Sequence, residues 1–213
     1  MSRWTRDEVA ARVALDIPDG AYVNLGIGMP TMVADHVPVG RELVFHTENG
    51  MLGMGPAAVG DQIDEDLINA GKLYVTESVG CSYFHHADSF AMIRGGHIEY
   101  CVIGAYQVGA RGDLANWRTT SVDVIPGVGG AMDLAVGARN VYVCMDLFTK
   151  TGECKLVADC TYPLTGQGCV DRVYTDHGVF EPNGTGFTVV ELSGAATLAD
   201  LQSRCAVPLV AAV

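Results

Sequence analysis

Basic side chains are scarce in this chain. Thirteen Lys and Arg stand against 25 Asp and Glu among 213 residues, a formal net charge of -12. A surface for nucleic acid needs clustered Lys and Arg against phosphates, so that class of function is excluded, and any anionic ligand must find a local basic site. The seven cysteines, Cys81, Cys101, Cys144, Cys154, Cys160, Cys169 and Cys205, contain no Cys-x-x-Cys pair and are odd in number. Neither a disulfide framework nor a structural metal site is expected from them. No run approaches membrane-spanning length, and Met1-Ser2-Arg3-Trp4 leads into a charged helical pattern rather than a signal-type apolar segment. The expectation is a soluble, reduced, cytoplasmic protein that binds no membrane. Internal repeats, low-complexity tracts and linkers are also missing, and 49% of the residues are hydrophobic. One domain over residues 1–213 is the simplest division.

What is present alternates between helix and strand signals. Thr5 followed by Glu8 is a capping box, after which Val9, Val13 and Ile17 repeat at helical spacing until Pro18-Asp19-Gly20. Ala21 to Leu25 reads as a short buried strand, and Met32 to Val37 as a helix. Leu43 to Phe45 is a second strand. Asp64 to Ala70 and Ser89 to Arg94 read as helices closed by glycines, and Ile98 to Ile103 and Val141 to Met145 as strands covered on both faces. Val173 to Leu192 carries hairpin signals, and Thr197 heads a last helix that ends near Pro208. The fold class is α/β, with an open, mainly parallel, doubly wound sheet.

Two kinds of feature in this pattern bear on chemistry. Glu48, in Thr47-Glu48-Asn49-Gly50, follows the second strand and precedes the glycine-broken stretch Met51-Leu52-Gly53-Met54-Gly55-Pro56. Ligands of open α/β sheets bind beyond the carboxyl ends of the strands, so a carboxylate there meets a substrate while the strand holds it still. Its bland reading is a solvated loop acid. The glycine loops Gly26-Ile27-Gly28 and Gly127-Val128-Gly129-Gly130 offer unobstructed backbone amides, although each is equally a tight strand-to-helix turn. The first lacks the full dinucleotide spacing, because Pro30 and Thr31 intervene, so an NAD site is a poor reading.

Six segments resemble, in order and spacing, the B subunit of the 3-oxoacid CoA-transferase family. They are Asn24 to Thr31, Thr47 to Gly53, Asp66 to Lys72, Ser89 to His97, Gly112 to Trp117 and Gly127 to Leu134. The stretches Cys81 to Asp88, Lys150 to Glu153 and Thr161 to Gly166 look most like the branch of that family acting on 3-oxoadipate. The resemblance implies the open α/β sheet shared by CoA-transferases and sugar-phosphate isomerases. It also implies CoA transfer from succinyl-CoA to a 3-oxo acid by ping-pong chemistry, with no cofactor or metal, since the CoA thioester is itself a substrate. Transfer to acetoacetate, and a non-catalytic binding protein on the same fold, are the rival readings.

The same resemblance assigns roles residue by residue. It makes Glu48 the nucleophile that carries CoA as a thioester, with Thr47 standing where Ser is more usual; because every step passes through an oxyanion, Gly129 and Gly130, whose amides no Cβ obstructs, are assigned to meet it. Read from their positions, Asn24, Gly26, Gly28 and Lys72 are candidates for binding CoA, Asn24 by donating to the pantetheine arm or else to Glu48. Asn24 is equally a buried structural amide, and Lys72 equally a solvated lysine at a helix end. His85 and His86, or Arg94 or Arg118, are candidates for the second carboxylate of a dicarboxylic acid. Asp146-Leu147 departs from the Glu-His pair expected there. Only the glutamate-bearing half of the family is present, so a partner A subunit is implied, in an A2B2 heterotetramer.

Overall fold

The first helix, α1 (Arg6–Asp16), is capped as its sequence predicts: the Glu8 N–H donates to Thr5 Oγ1 at 3.2 Å and the Thr5 N–H to the Glu8 carboxylate at 2.6 Å. Val9, Val13 and Ile17 face inward and are fully buried. The computed structural model describes residues 3–119, 127–194 and 196–212. After α1 come β1 (Tyr22–Leu25), a 3₁₀ segment (Met29–His36), the hairpin β2 (Val44–Thr47) and β3 (Met51–Ala57), and β4 (Val75–Tyr83). Then follow α2 (His86–Arg94), β5 (Tyr100–Ile103), β6 (Gln107–Gly109), β7 (Leu114–Ala115), α3 (Ala131–Gly137), β8 (Asn140–Met145) and β9 (Leu156–Val157). The chain closes with β10 (Val170–Thr175), β11 (Gly178–Pro182), β12 (Phe187–Leu192), α4 (Leu198–Gln202) and β13 (Leu209–Ala211).

Ten strands form one sheet in the order β13-β12-β11-β10-β8-β5-β1-β2-β3-β4, while β7-β6-β9 form a small second sheet. The central strands β10, β8, β5, β1 and β2 are mutually parallel, and antiparallel pairings flank them on both sides. Side chains alternate across the sheet with the period of two that a strand imposes. Val141, Val143 and Met145 of β8 join a core under one face with Ile93 and Leu134, whereas Tyr142 and Cys144 join the other with Val9 and Val13. Both faces are therefore covered, which is why the central strands read as unbroken apolar runs. The expected mainly parallel, doubly wound α/β sheet is the observed one.

Three local expectations fail, and one stretch left unassigned is a strand. Asp64 to Ala70 is not a helix. The Asp64 carboxylate accepts from the Asp66 N–H at 2.9 Å, and Asn69 Oδ1 accepts from the N–H groups of Gly71 and Leu73, so side chains occupy the amides that a helix would use. The glycine-broken stretch after Glu48 is β3, an antiparallel strand whose register shifts absorb the glycines. Helix α4 stops at Gln202, well before Pro208, because the Gln202 amide takes the Cys205 and Val207 carbonyls at 2.9 and 3.1 Å and the Leu209 N–H at 2.8 Å. Finally, Cys154 and Cys205 are joined as a disulfide, with Cα atoms 5.4 Å apart at a sequence separation of 51. Tertiary packing creates that pair, so cysteine spacing carried no sign of it.

Candidate active site

The carboxyl ends of four parallel strands open into one cavity of about 490 Å³, lined among others by Gly26 after β1, Glu48 after β2, Gly104 after β5 and Asp146 after β8. The chain runs from β1 to β2 on one side and from β5 to β8 on the other. The adjacent strands β1 and β5 thus send their connections in opposite directions, which leaves a crevice at their ends.

Glu48 sits in the β2–β3 turn and is held there by its neighbours. Gly50, at φ 115, packs so tightly that a Cβ would strike the Phe84 carbonyl oxygen, and its own carbonyl accepts from the Phe84 N–H at 2.9 Å. Asn49 donates to the Ile68 carbonyl at 2.8 Å, and Thr47 Oγ1 accepts from the Met51 N–H at 3.2 Å. Each residue around the glutamate therefore has a turn-building duty, the hydroxyl of Thr47 included.

Glu48 Oε2 is buried without a hydrogen-bond partner among the described residues. Burial pushes the Glu48 pKa up, only partly offset by its own backbone amide, the neighbouring Asn24 amide and the charge of His86. A carboxylate deprived of water hydrogen bonds is poorly stabilised as an anion and suited to attack. Gly129 (φ 57) and Gly130 close the opposite wall. A Cβ at Gly130 would stand 2.9 Å from the Phe90 ring and 3.8 Å from Glu48 Cγ. Neither the Gly129 nor the Gly130 N–H has a partner among the described residues. Glu48, Gly129 and Gly130 line the same cavity.

Behind Glu48 lies a buried polar relay that the sequence did not disclose. Asn24 Nδ2 donates to the His46 carbonyl at 3.2 Å and lies 3.1 Å from His46 Nδ1; His46 Nε2 lies 2.9 Å from Ser89 Oγ, which donates to the Thr47 carbonyl at 2.9 Å. The one Ser89 hydrogen is thereby used, so His46 Nε2 must carry the proton and Nδ1 must accept from Asn24. Burial pushes His46 down to about 4 and keeps it neutral. Asn24 Oδ1 is buried without a partner among the described residues, and the Asn24 amide also favours the charged form of Glu48.

The remaining candidates are scattered. Gly26 lines the cavity, and Gly28 (φ 93) lies just outside it. Lys72 occupies a tight turn at φ 63 and does not line the cavity; the adjacent Gly71 abuts Ile27, which does. It is not at a helix end. His85 Nδ1 caps α2 by accepting from the Ala87 N–H at 3.1 Å, while the exposed His86 packs on Phe90 at 4.9 Å. Neither histidine lines the cavity. Arg94 is taken by Asp133 at 2.7 Å. Lys155, unremarked in the sequence, does line it. Among the described residues no cluster of His, Cys, Asp or Glu is arranged to hold a metal ion, and no helix is long and apolar enough to cross a membrane.

This fold and site define an acyl-handling enzyme, and residues 6–193 match the family model described as Coenzyme A transferase. The chain belongs to the coenzyme A transferase family, and its activity is CoA transfer. It is 56% identical over 208 residues to the B subunit of 3-oxoadipate CoA-transferase from Pseudomonas putida, covering 98% of this chain and 97% of that one. It is 45% identical over 199 residues to the B subunit of succinyl-CoA:3-ketoacid coenzyme A transferase from Helicobacter pylori, covering 93% and 95%. The acyl-CoA transferase of Escherichia coli O157:H7 shares the fold, with a TM-score of 0.74 at 18% identity; this chain aligns over 98% of its own length and spans 42% of that one.

Proposed function

We propose that this chain is the glutamate-bearing half of a two-chain enzyme that moves CoA from succinyl-CoA to 3-oxoadipate through a thioester on Glu48. The observation that carries the reading is the buried Glu48 oxygen, unpaired among the described residues, which lines one cavity with the Gly129 and Gly130 loop. In the first half-reaction Glu48 attacks the acyl-CoA carbonyl, and the oxyanion that forms is met by the loop amides. The CoA thiolate leaves, giving a mixed anhydride. The thiolate then attacks the Glu48 carbonyl and releases succinate, so CoA is parked on the enzyme. The acceptor acid repeats these steps in reverse. Asn24, Gly26 and Gly28 would flank the pantetheine arm, and Lys72, outside the cavity, would meet phosphate. No dissociable cofactor enters this scheme.

The choice of acid and of partner rests on the relatives, whose names specify one subunit of a pair and either 3-oxoadipate or a 3-keto acid. A second chain of A type, in an A2B2 assembly, would close the cavity and keep water from the anhydride. To test this, the chain is co-expressed with its candidate partner, and transfer from succinyl-CoA to 3-oxoadipate and to acetoacetate is compared. Preference for 3-oxoadipate only in the assembled complex is expected. Equal rates on both acids, or full activity from the isolated chain, would contradict it.

A further inference from the structure

The acyl carbonyl must lie at Glu48, so any second charge on the acid lies elsewhere in the same cavity. Among the described residues that line it, Lys155 is the only cation. Its backbone is fixed on both sides, the N–H donating to the Leu147 carbonyl at 2.9 Å and the carbonyl accepting from the Val108 N–H at 3.0 Å, immediately before β9. Its ammonium makes no ion pair within 4.0 Å with a described residue. Asp146, which also lines the cavity, is held by Arg6 at 3.5 Å, and Asp176 by Arg3 at 3.3 Å. Partial burial pulls the Lys155 pKa down, opposed by the charges of Asp146 and Asp176. A desolvated cation without a close counter-ion is completed by an incoming anion.

We infer that Lys155 binds the distal carboxylate of the acids that pass through this site, and so selects dicarboxylic over monocarboxylic acyl groups. The inference rests on the transferase reading above and adds the specificity residue to it. In ping-pong transfer the donor and acceptor acids occupy one acyl pocket in turn. A single fixed ammonium can therefore serve both half-reactions when both acids carry a second carboxylate. His85 is committed to capping α2 and His86 lies outside the cavity, so the role expected of them passes to Lys155.

The test is the first half-reaction of the assembled complex, followed as CoA loading of the enzyme by succinyl-CoA and by butyryl-CoA, which has the same chain length without the carboxylate. For Lys155→Met the succinyl-to-butyryl ratio of kcat/KM should fall about ten- to a hundredfold, as expected for losing a charged hydrogen bond in a specificity pocket. Lys155→Arg should retain part of the preference. An unchanged ratio in Lys155→Met, including equal loss on both substrates, would overturn the assignment while leaving the transferase reading intact. Failure of the unmodified complex to load CoA from either thioester would overturn the transferase reading and this inference with it.

Discussion

Gly130 stands against Glu48 so closely that a Cβ on the glycine would lie 3.8 Å from the glutamate Cγ, with the Phe90 ring 2.9 Å away on the other side. At φ -79 the Gly130 backbone itself tolerates alanine. Gly130→Ala should thus fold normally but push Phe90 or the loop, misaiming the amides. A fall in kcat of about 10²-fold or more with little change in KM is expected, by analogy with removing an oxyanion donor. Adding Phe90→Leu should recover part of it. An unchanged kcat in Gly130→Ala would place the oxyanion site elsewhere.

His46 ties protonation to stability. Its folded pKa lies near 4, below the ordinary value of 6.5, because burial disfavours the charged ring. The folded protein resists a proton that the unfolded chain accepts, so stability should decline as pH falls from about 6.5 to about 4, by on the order of 3 kcal/mol from this group. Urea unfolding across that range measures it. Glutamine at position 46 should remove this part of the decline, and parallel curves for His46→Gln and the natural protein would contradict the account.

Asp16 anchors α1 to the sheet. Its carboxylate accepts from Arg12, from Arg172 at 2.9 Å and from Tyr174 at 2.8 Å, while Arg172 also reaches Glu181. Burial would raise its pKa, but the hydrogen bonds from Arg12, Tyr174 and Arg172 outweigh this and hold it below the usual carboxylate value. Asp16→Asn should cost about 1–3 kcal/mol at neutral pH, as for a partly buried charged network losing its centre. The gap should persist down to about pH 4 and close only below it, as the folded carboxylate is finally protonated. Equal unfolding midpoints at pH 7 would show the network to be dispensable.

Much of the fold was legible because its signals are local. The Thr5 capping box, the continuous apolar runs of β5 and β8 and the glycine-bounded α2 each depend on neighbours in sequence. Glu48 was legible for the same reason, since Asn49 and Gly50 build its turn from within the motif. Lys155 and the Cys154–Cys205 bond were not, because each acquires its surroundings from segments far away in the chain. Asp64 to Ala70 misled for a subtler cause: Gly71 after it reads as a helix stop, yet Asp64 and Asn69 bind the amides first.

The central claim is that CoA is carried on Glu48. The assembled complex is incubated with succinyl-CoA alone, quenched and digested, and the peptides are mapped by mass. The account predicts the mass of CoA on the peptide containing Glu48 and on no other, with Glu48→Gln unlabelled and turnover reduced on the order of 10⁶-fold, as when an enzyme nucleophile is deleted. CoA found on a cysteine peptide, or labelling that survives in Glu48→Gln, would contradict it.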